Sequence, residues 1–275
     1  MNNQVSQLRV ILKDALPAPL LNLLRGIREW EENLYGRAIR KWRDLYAFLP
    51  FLSNRKLDIS LRTRFAIVKR LCVISSAINS PHTQEEILNY IQAIFLLPRD
   101  SRGVVVEAGC FKGSSTAKFS LAADIAGRQL VVFDSFKGIP DNDEAHTTTI
   151  FGDSANFKRG YYCGTLDEVK SNVAKYGKSA CCRFIEGWFE DTMPKFQQTI
   201  SVIYLDVDLA SSTRTCLKYL YPLLESGGVI FSQDGHLPLV IDVFNDDNFW
   251  LNEIGCKKPE ILGLGKSKLI KIIKE

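Results

Sequence analysis

The sequence predicts an α/β fold in which a mostly parallel sheet carries helices on both faces. Short β-branched or aromatic runs alternate with helix-period stretches from residue 103 to the end of the chain. Each of the first five predicted strands ends in polar side chains. A glycine pair, Gly109 and Gly113, directly follows the first strand. Open α/β sheets bind nucleotides at such a turn between a strand and a helix.

The residues before the sheet predict a helical extension, 1–95, ahead of an α/β domain, 96–275. Apolar residues recur at helical spacing from Leu20 to Leu45, and a second helix is predicted over Leu61–Ile78. A capping box at Thr83 and Glu86 starts a third helix that runs to about Leu96. We expect the extension to cover the ligand-binding end of the sheet or to form a homodimer contact. Contact with an anionic membrane is the alternative for its basic, amphipathic helices.

The α/β domain contains seven predicted strands. These are Val104–Val106, Gln129–Phe133, Cys182–Ile185, Ile200–Leu205, Val229–Ser232, Glu260–Leu262 and Lys268–Ile273. A long polar loop is predicted over 140–162, and helices over Thr165–Tyr176, Ser212–Leu224 and Val240–Trp250. The last two strands flank a glycine turn, which predicts an antiparallel hairpin at one edge of the sheet.

Composition excludes several classes of protein. Hydrophobic residues are 46% of the chain and charged residues 24%, which is typical of a globular protein. The sequence contains no run of about 18 apolar residues, so no membrane span is predicted. The seven cysteines are odd in number and form no C-x-x-C pair, which indicates reduced thiols in the cytoplasm. The net charge of +4 comes without basic clusters interleaved with aromatic residues, so no nucleic-acid partner is expected.

The glycine turn favours a ligand without a phosphate. A dinucleotide fingerprint that starts at Gly109 needs glycines at 111 and 114, where Phe111 and Ser114 stand. The pattern Glu-x-Gly-x-x-x-Gly suits a ligand with a cationic amino-acid end, such as S-adenosylmethionine. An ordinary tight turn with a capping serine is the alternative. The residues expected to bind the cofactor here are Glu107, Ala108, Gly109, Cys110, Gly113 and Ser114.

Two further strand ends, together with Asp206 after the fourth strand, complete the predicted cofactor site. Asp134, followed by Ser135 and Phe136, can accept hydrogen bonds from ribose hydroxyls, although a turn cap is the alternative. Trp188, after Gly187, offers a flat apolar face to adenine, and core packing is the alternative. Cys110 is expected to be a small buried filler rather than a catalytic thiol.

Carboxylates at two neighbouring strand ends predict a metal site. Asp206 follows the fourth strand, and Gln233 and Asp234 follow the fifth. Oxygen ligands with two negative charges suit Mg²⁺, which can orient a hydroxyl and lower its pKa. The alternative is that Asp206 caps the next helix while Asp234 hydrogen-bonds a loop.

The chain has three histidines, and one of them is the predicted base. His146 lies in the long loop, where it can fold over an acceptor and take its proton. His236 is the second candidate for a base, or a fourth metal ligand. His82 precedes a helix and is expected at the surface. Asp206 is the other residue expected to act in catalysis.

Four stretches together resemble the TylF/MycF family, the macrocin-type O-methyltransferases that tailor macrolide sugars. The resemblance covers about residues 65–235. Its motifs are Val106-Glu107-Ala108-Gly109-Cys110-Phe111-Lys112-Gly113, Phe133-Asp134-Ser135-Phe136-Lys137-Gly138-Ile139-Pro140, Gly187-Trp188-Phe189-Glu190-Asp191-Thr192-Met193-Pro194, and Leu205-Asp206-Val207-Asp208-Leu209 with Ser212-Thr213.

The resemblance implies a Rossmann-like class I methyltransferase fold, S-adenosylmethionine, Mg²⁺ and transfer to a hydroxyl of a sugar or secondary metabolite. Asp206 matches the family's metal-binding aspartate, and His146 corresponds to the loop histidine proposed as its base. Gln233-Asp234 stands where the family has an Asp-Asp pair, so the first carboxylate is replaced by an amide. Two alternatives stay open: a nicotinamide-dependent oxidoreductase, and a non-catalytic partner protein with the same fold.

Overall fold

The computed structural model describes residues 44, 46–98 and 100–275. The compact unit that contains the sheet runs from Pro50 to Glu275 and includes the two helices before the first strand, whereas 96–275 was predicted. The helix predicted between Leu20 and Leu45 lies outside the described residues. The role of the helical extension therefore stays a prediction.

The sheet has seven strands in the order β3-β2-β1-β4-β5-β7-β6, and the first five of these are parallel. β7 is antiparallel to both β5 and β6, which confirms the predicted antiparallel hairpin at the edge. The strands are β1 (Val104–Ala108), β2 (Leu130–Asp134), β3 (Cys182–Glu186), β4 (Ile200–Leu205), β5 (Leu224–Ser232), β6 (Ile261–Leu262) and β7 (Ile270–Ile273). The predicted α/β fold class is confirmed.

Most of the helices lie close to their predicted positions, although the short helix at Phe189–Thr192 has no counterpart among the predicted elements. The helices are α1 (Leu61–Ala77), α2 (Gln84–Phe95), α3 (Ser114–Ile125), α4 (Leu166–Tyr176), α5 (Phe189–Thr192), α6 (Ala210–Leu220), α7 (Pro238–Asn245) and α8 (Asp247–Phe249). The capping box at Thr83 and Glu86 forms as predicted, and the Thr165 side chain caps α4. Among the described helices, none is both long enough and apolar enough to cross a membrane.

Two predicted elements are wrong in extent. β5 begins at Leu224 rather than at the predicted Val229 and so contains Gly227 and Gly228, where Gly227 N–H donates to Lys274 O and Gly228 O accepts from Lys274 N–H. The helix predicted over Val240–Trp250 is interrupted, because Asp246 leaves the helical conformation and its side chain accepts from Phe249 N–H to cap a new turn. A π-helical turn, Trp250–Ile254, follows.

α2 is held against the centre of the sheet by one buried tyrosine. The Tyr90 hydroxyl donates to Val106 O over 3.0 Å, and its ring packs against Phe119 and Tyr204 at centroid distances of 4.1 and 5.4 Å. Since α2 begins at Gln84, this packing fixes the residues just before it at the carboxyl end of β4.

We expect Gly109→Ala to destabilise the protein by about 2–5 kcal/mol, through overpacking and backbone strain. Gly109 has φ +81°, and a Cβ there would lie 2.0 Å from Asp206 O. Gly127→Ala is the matched control, because Gly127 also has positive φ, at +65°, but nothing lies within 4 Å of its Cβ position. Denaturant unfolding measures both. Equal losses would contradict the close approach of β1 and β4.

Candidate active site

The turns at the carboxyl ends of β1 to β5 surround one cavity of about 500 Å³. Its wall contains residues from the turns that follow all five parallel strands, namely Cys110, Asp134, Trp188, Asp206 and Asp234. The edge of the sheet where polar residues were predicted to converge is therefore where the cavity opens. Gly109, Ser114, Ser135 and Gly187 also lie in the wall.

Asp134 joins the turns after β1 and β2. Its Oδ2 accepts from Cys110 N–H over 2.7 Å, and its Oδ1 accepts from Phe136 N–H over 2.7 Å. Burial raises the pKa of Asp134, although these hydrogen bonds oppose the shift. The carboxylate thus caps two turns and also lies in the cavity wall, so the turn cap and a ribose contact are compatible.

Ser114 stands at the N-terminus of α3, in the cavity wall. Its buried Oγ has no hydrogen-bond partner among the described residues. A helix N-terminus with free N–H groups and an unpaired hydroxyl suits a carboxylate. Cys110 is buried, and burial raises the pKa of its thiol, which agrees with its expected role as a filler.

Glu107 lies beneath the glycine turn rather than in the cavity wall. Its Oε2 accepts from Thr116 Oγ1 over 2.6 Å, while its buried Oε1 has no partner in the described part of the chain. Burial raises its pKa to about 8, against the hydrogen bonds from Ser115 and Thr116. Ala108, Gly113 and Phe136 are also buried or lie behind the wall. Their predicted contact with a cofactor stays a prediction.

Three carboxylates meet at the other end of the cavity, after β4 and β5. One oxygen from each of Asp206, Asp208 and Asp234 can be chosen so that all three lie within 4.8 Å of one another. Asp234 Oδ2 accepts from Val207 N–H over 3.0 Å and from Asp208 N–H over 3.1 Å. Burial and the charge of Asp206 raise the pKa of Asp234 to about 7. This donor set fits a hard cation such as Mg²⁺.

Gln233 does not lie in the cavity wall. Its Nε2 donates to the Tyr204 hydroxyl over 2.8 Å, and its buried Oε1 has no partner among the residues that the structure describes. The carboxylate set in the structure is therefore Asp206, Asp208 and Asp234, and the predicted ligand Gln233 is at most an addition to it. Asp208 belongs to the fourth sequence motif, and the sequence predicts no role for it.

His146 does not reach the cavity wall, which corrects its predicted role as base. Its side chain is 1% exposed, and its Nε2 lies 2.9 Å from Glu144 Oε2. Glu144 in turn accepts from Ala210 and Ser211 N–H and so caps α6. His146 thus anchors the long loop to α6.

His82 is not at the surface, where it was predicted. Its Nε2 lies 2.7 Å from Asp206 Oδ2, and its side chain is 5% exposed. Sequence reasoning missed this contact because the two residues are 124 positions apart.

His236 lies in the cavity wall, as its position after Asp234 indicated. Its ring stacks on Phe151 of the long loop, with centroids 6.1 Å apart and an interplanar angle of 23°. Burial and Lys268 lower the pKa of His236. Lys268 and Tyr162 also line the cavity, and no motif singled them out.

We expect Glu107→Gln to stabilise the ligand-free protein at pH 8 by about 4 kcal/mol. The folded pKa of about 8 exceeds the ordinary 4.5, so the unfolded chain releases its proton first as the pH rises. The contribution of Glu107 to stability therefore falls between about pH 4.5 and 8 and is level above that range. Thermal melting across this range measures the effect, with Glu186→Gln, at an exposed position, as control. The expectation would be contradicted if the difference in melting temperature between the wild type and Glu107→Gln did not change with pH.

Three curated O-methyltransferases are similar to this chain. The mycinamicin III 3''-O-methyltransferase of Micromonospora griseorubida is 32% identical over 143 residues, which cover 50% of this chain and 56% of that protein. The 8-demethyl-8-(2,3-dimethoxy-alpha-L-rhamnosyl)-tetracenomycin-C 4'-O-methyltransferase of Streptomyces olivaceus is 31% identical over 171 residues, or 59% of this chain and 64% of the relative. The demethyldecarbamoylnovobiocin O-methyltransferase of Streptomyces niveus is 31% identical over 137 residues, which cover 48% of this chain and 52% of that protein. The matches thus span about half to two thirds of these relatives.

Solved structures share the fold. The O-methyltransferase NovP superposes with a TM-score of 0.63 at 20% identity, over 77% of this chain and 99% of that one. CalS11, a calicheamicin methyltransferase, has a TM-score of 0.51 at 18% identity, over 76% and 92%. These likenesses confirm the Rossmann-like class I methyltransferase fold. The family model described as macrocin-O-methyltransferase (TylF) matches residues 89–247, more than half of the chain, so this protein belongs to the TylF family.

Proposed function

We propose that the protein is an S-adenosylmethionine-dependent O-methyltransferase that acts on a hydroxyl of a sugar or secondary metabolite. The observation that carries the proposal is the cavity itself, which joins the glycine turn after β1 to the carboxylates after β4 and β5. The family, and the O-methyltransferase names of the three relatives, support the same reaction.

The glycine-turn end of the cavity suits the cofactor. Ser114 Oγ and the N-terminus of α3 would receive the carboxylate of the methionine part. Asp134 would accept from the ribose hydroxyls, and Trp188 would stack on adenine. S-adenosylmethionine supplies the methyl group, which is bonded to a positively charged sulfur. The acidic residues of the cavity wall would attract this positive charge.

The carboxylate end of the cavity suits the acceptor hydroxyl. Asp206 and Asp234 would hold Mg²⁺, with Asp208 beside them. A bound Mg²⁺ orients a hydroxyl and makes its proton more acidic. Alignment of the two reactants is a large part of such catalysis.

Asp208 is our proposed base in place of His146. Its side chain is in the cavity wall and part of the carboxylate cluster. Burial, followed by the charges of Asp234 and Asp206, raises its pKa well above the ordinary value, which makes its carboxylate a stronger proton acceptor. Asp208 has φ +61°, a left-handed conformation that aspartate and asparagine tolerate.

Titration calorimetry tests the cofactor. We expect saturable binding of S-adenosylhomocysteine, and no binding of NAD at the same concentration, because Phe111 and Ser114 replace the glycines that a pyrophosphate needs. Mg²⁺ should then bind to the complex, and Asp234→Asn should weaken it at least tenfold. Binding of NAD without S-adenosylhomocysteine would establish the oxidoreductase alternative instead.

We expect Asp208→Asn to lower kcat for methyl transfer about 10²–10⁴-fold, since the variant keeps the shape but loses the proton acceptor. The affinity for S-adenosylhomocysteine should change less than about threefold, because Asp208 lies at the acceptor end. Asp167→Asn, at an exposed position on α4, is the control. A kcat within twofold of the wild type would remove Asp208 from the mechanism.

A further inference from the structure

The loop between α1 and α2 forms one side of the cavity. Four of its six residues, Asn79, Ser80, Pro81 and His82, lie in the cavity wall. The loop ends at Thr83, the N-cap of α2. Because Tyr90 fixes α2 on the sheet, the end of the loop that carries His82 is held over the carboxyl end of β4.

The imidazole of His82 is bonded at both nitrogens. Nε2 lies 2.7 Å from Asp206 Oδ2, and Nδ1 lies 3.1 Å from Ser80 Oγ. The His82 ring also meets the edge of Tyr204, with centroids 5.9 Å apart and planes at 88°. With both nitrogens engaged and 5% of the side chain exposed, the ring has one orientation.

The direction of these hydrogen bonds follows from Asp206. Burial raises the pKa of Asp206, but the charge of His82 and its hydrogen bond outweigh that effect and hold the pKa below the ordinary value. An ionised carboxylate only accepts, so Nε2 carries the proton and donates to Oδ2. Nδ1 makes the second hydrogen bond of the ring, with the Ser80 hydroxyl.

The contact fixes the rotation of the Asp206 carboxylate. Oδ2 is bound to His82, which leaves Oδ1 and the second lone pair of Oδ2 for a ligand in the cavity. The Asp234 carboxylate is held differently, by two backbone N–H groups. Partners that orient a ligating group usually change activity or metal affinity 10–100-fold when removed.

We propose that His82 is a positioning residue, which orients the Asp206 carboxylate toward the acceptor and fastens residues 79–82 over that end of the cavity. This assignment rests on the proposed function. It adds to the site a loop that no motif in the sequence marked, and it gives the segment before α2 a direct part in aligning the reactants.

Two substitutions separate positioning from packing. His82→Leu removes the donor at similar size, whereas His82→Gln places an amide N–H close to the position of Nε2. We expect His82→Leu to lower kcat about 10–100-fold, with KM for S-adenosylmethionine changed less than about threefold. We expect His82→Gln to stay within about fivefold of the wild type. Trp250→Phe is the control for loss of a buried ring hydrogen bond outside the cavity wall, since Trp250 Nε1 donates to Phe244 O over 2.9 Å, and it should leave kcat per folded molecule within about twofold.

Hydrogen exchange gives a readout that does not need activity. Exchange of the amides in residues 79–83 should become at least about tenfold faster in His82→Leu and not in His82→Gln, with S-adenosylhomocysteine absent. A kcat for His82→Leu within twofold of the wild type, or equal losses in both variants, would overturn the assignment. If the wild type transfers no methyl group, the proposed function fails, and unchanged exchange in His82→Leu then overturns the assignment separately.

Discussion

The candidate site depends on the hydrogen bonds by which the Asp234 carboxylate holds the turn after β4. Two N–H groups, those of Val207 and Asp208, point at one oxygen of a residue that follows the neighbouring strand. This contact brings Asp206, Asp208 and Asp234 together in a buried place, where like charges repel. Burial, and after it the charges of the neighbouring aspartates, raises the pKa of Asp234 and of Asp208. Such a cluster is stable when protons or a cation offset the charge.

The cavity has two ends with different chemistry. At the glycine turn, the groups that face the cavity are a helix N-terminus, a serine hydroxyl without a hydrogen-bond partner among the described residues, and a carboxylate already bonded to two backbone amides. At the far end, three carboxylates lie beside His82, His236 and Lys268. A cationic methyl donor at the first end and a hydroxyl at the second would meet between them. Because cofactor binding and the chemistry are assigned to different ends of the cavity, substitutions at one end can be tested separately from substitutions at the other.

The sheet and the edge at which the polar residues meet could be predicted from the sequence, because both follow from local patterns. The alternation of strand and helix patterns predicts a parallel sheet. The polar residues after β1, β2, β4 and β5 then meet at one edge, because the carboxyl ends of parallel strands lie on the same side. The contacts of the three histidines were harder to predict. His82 reaches Asp206 across 124 positions, and His146 turns toward Glu144 rather than the cavity, since loop paths are not encoded in periodicity. The break in the helix at Asp246 was also hard to predict. It depends on the Asp246 side chain, which caps a new turn, whereas the apolar residues around it keep a helical spacing.

A crystal structure of the protein with S-adenosylhomocysteine and Mg²⁺ tests the central claim most directly. The account predicts the homocysteine carboxylate at Ser114, adenine beside Trp188, and the sulfur directed toward the cluster of Asp206, Asp208 and Asp234. Density for the ligand with its sulfur turned away from these carboxylates, or outside the cavity, would contradict it.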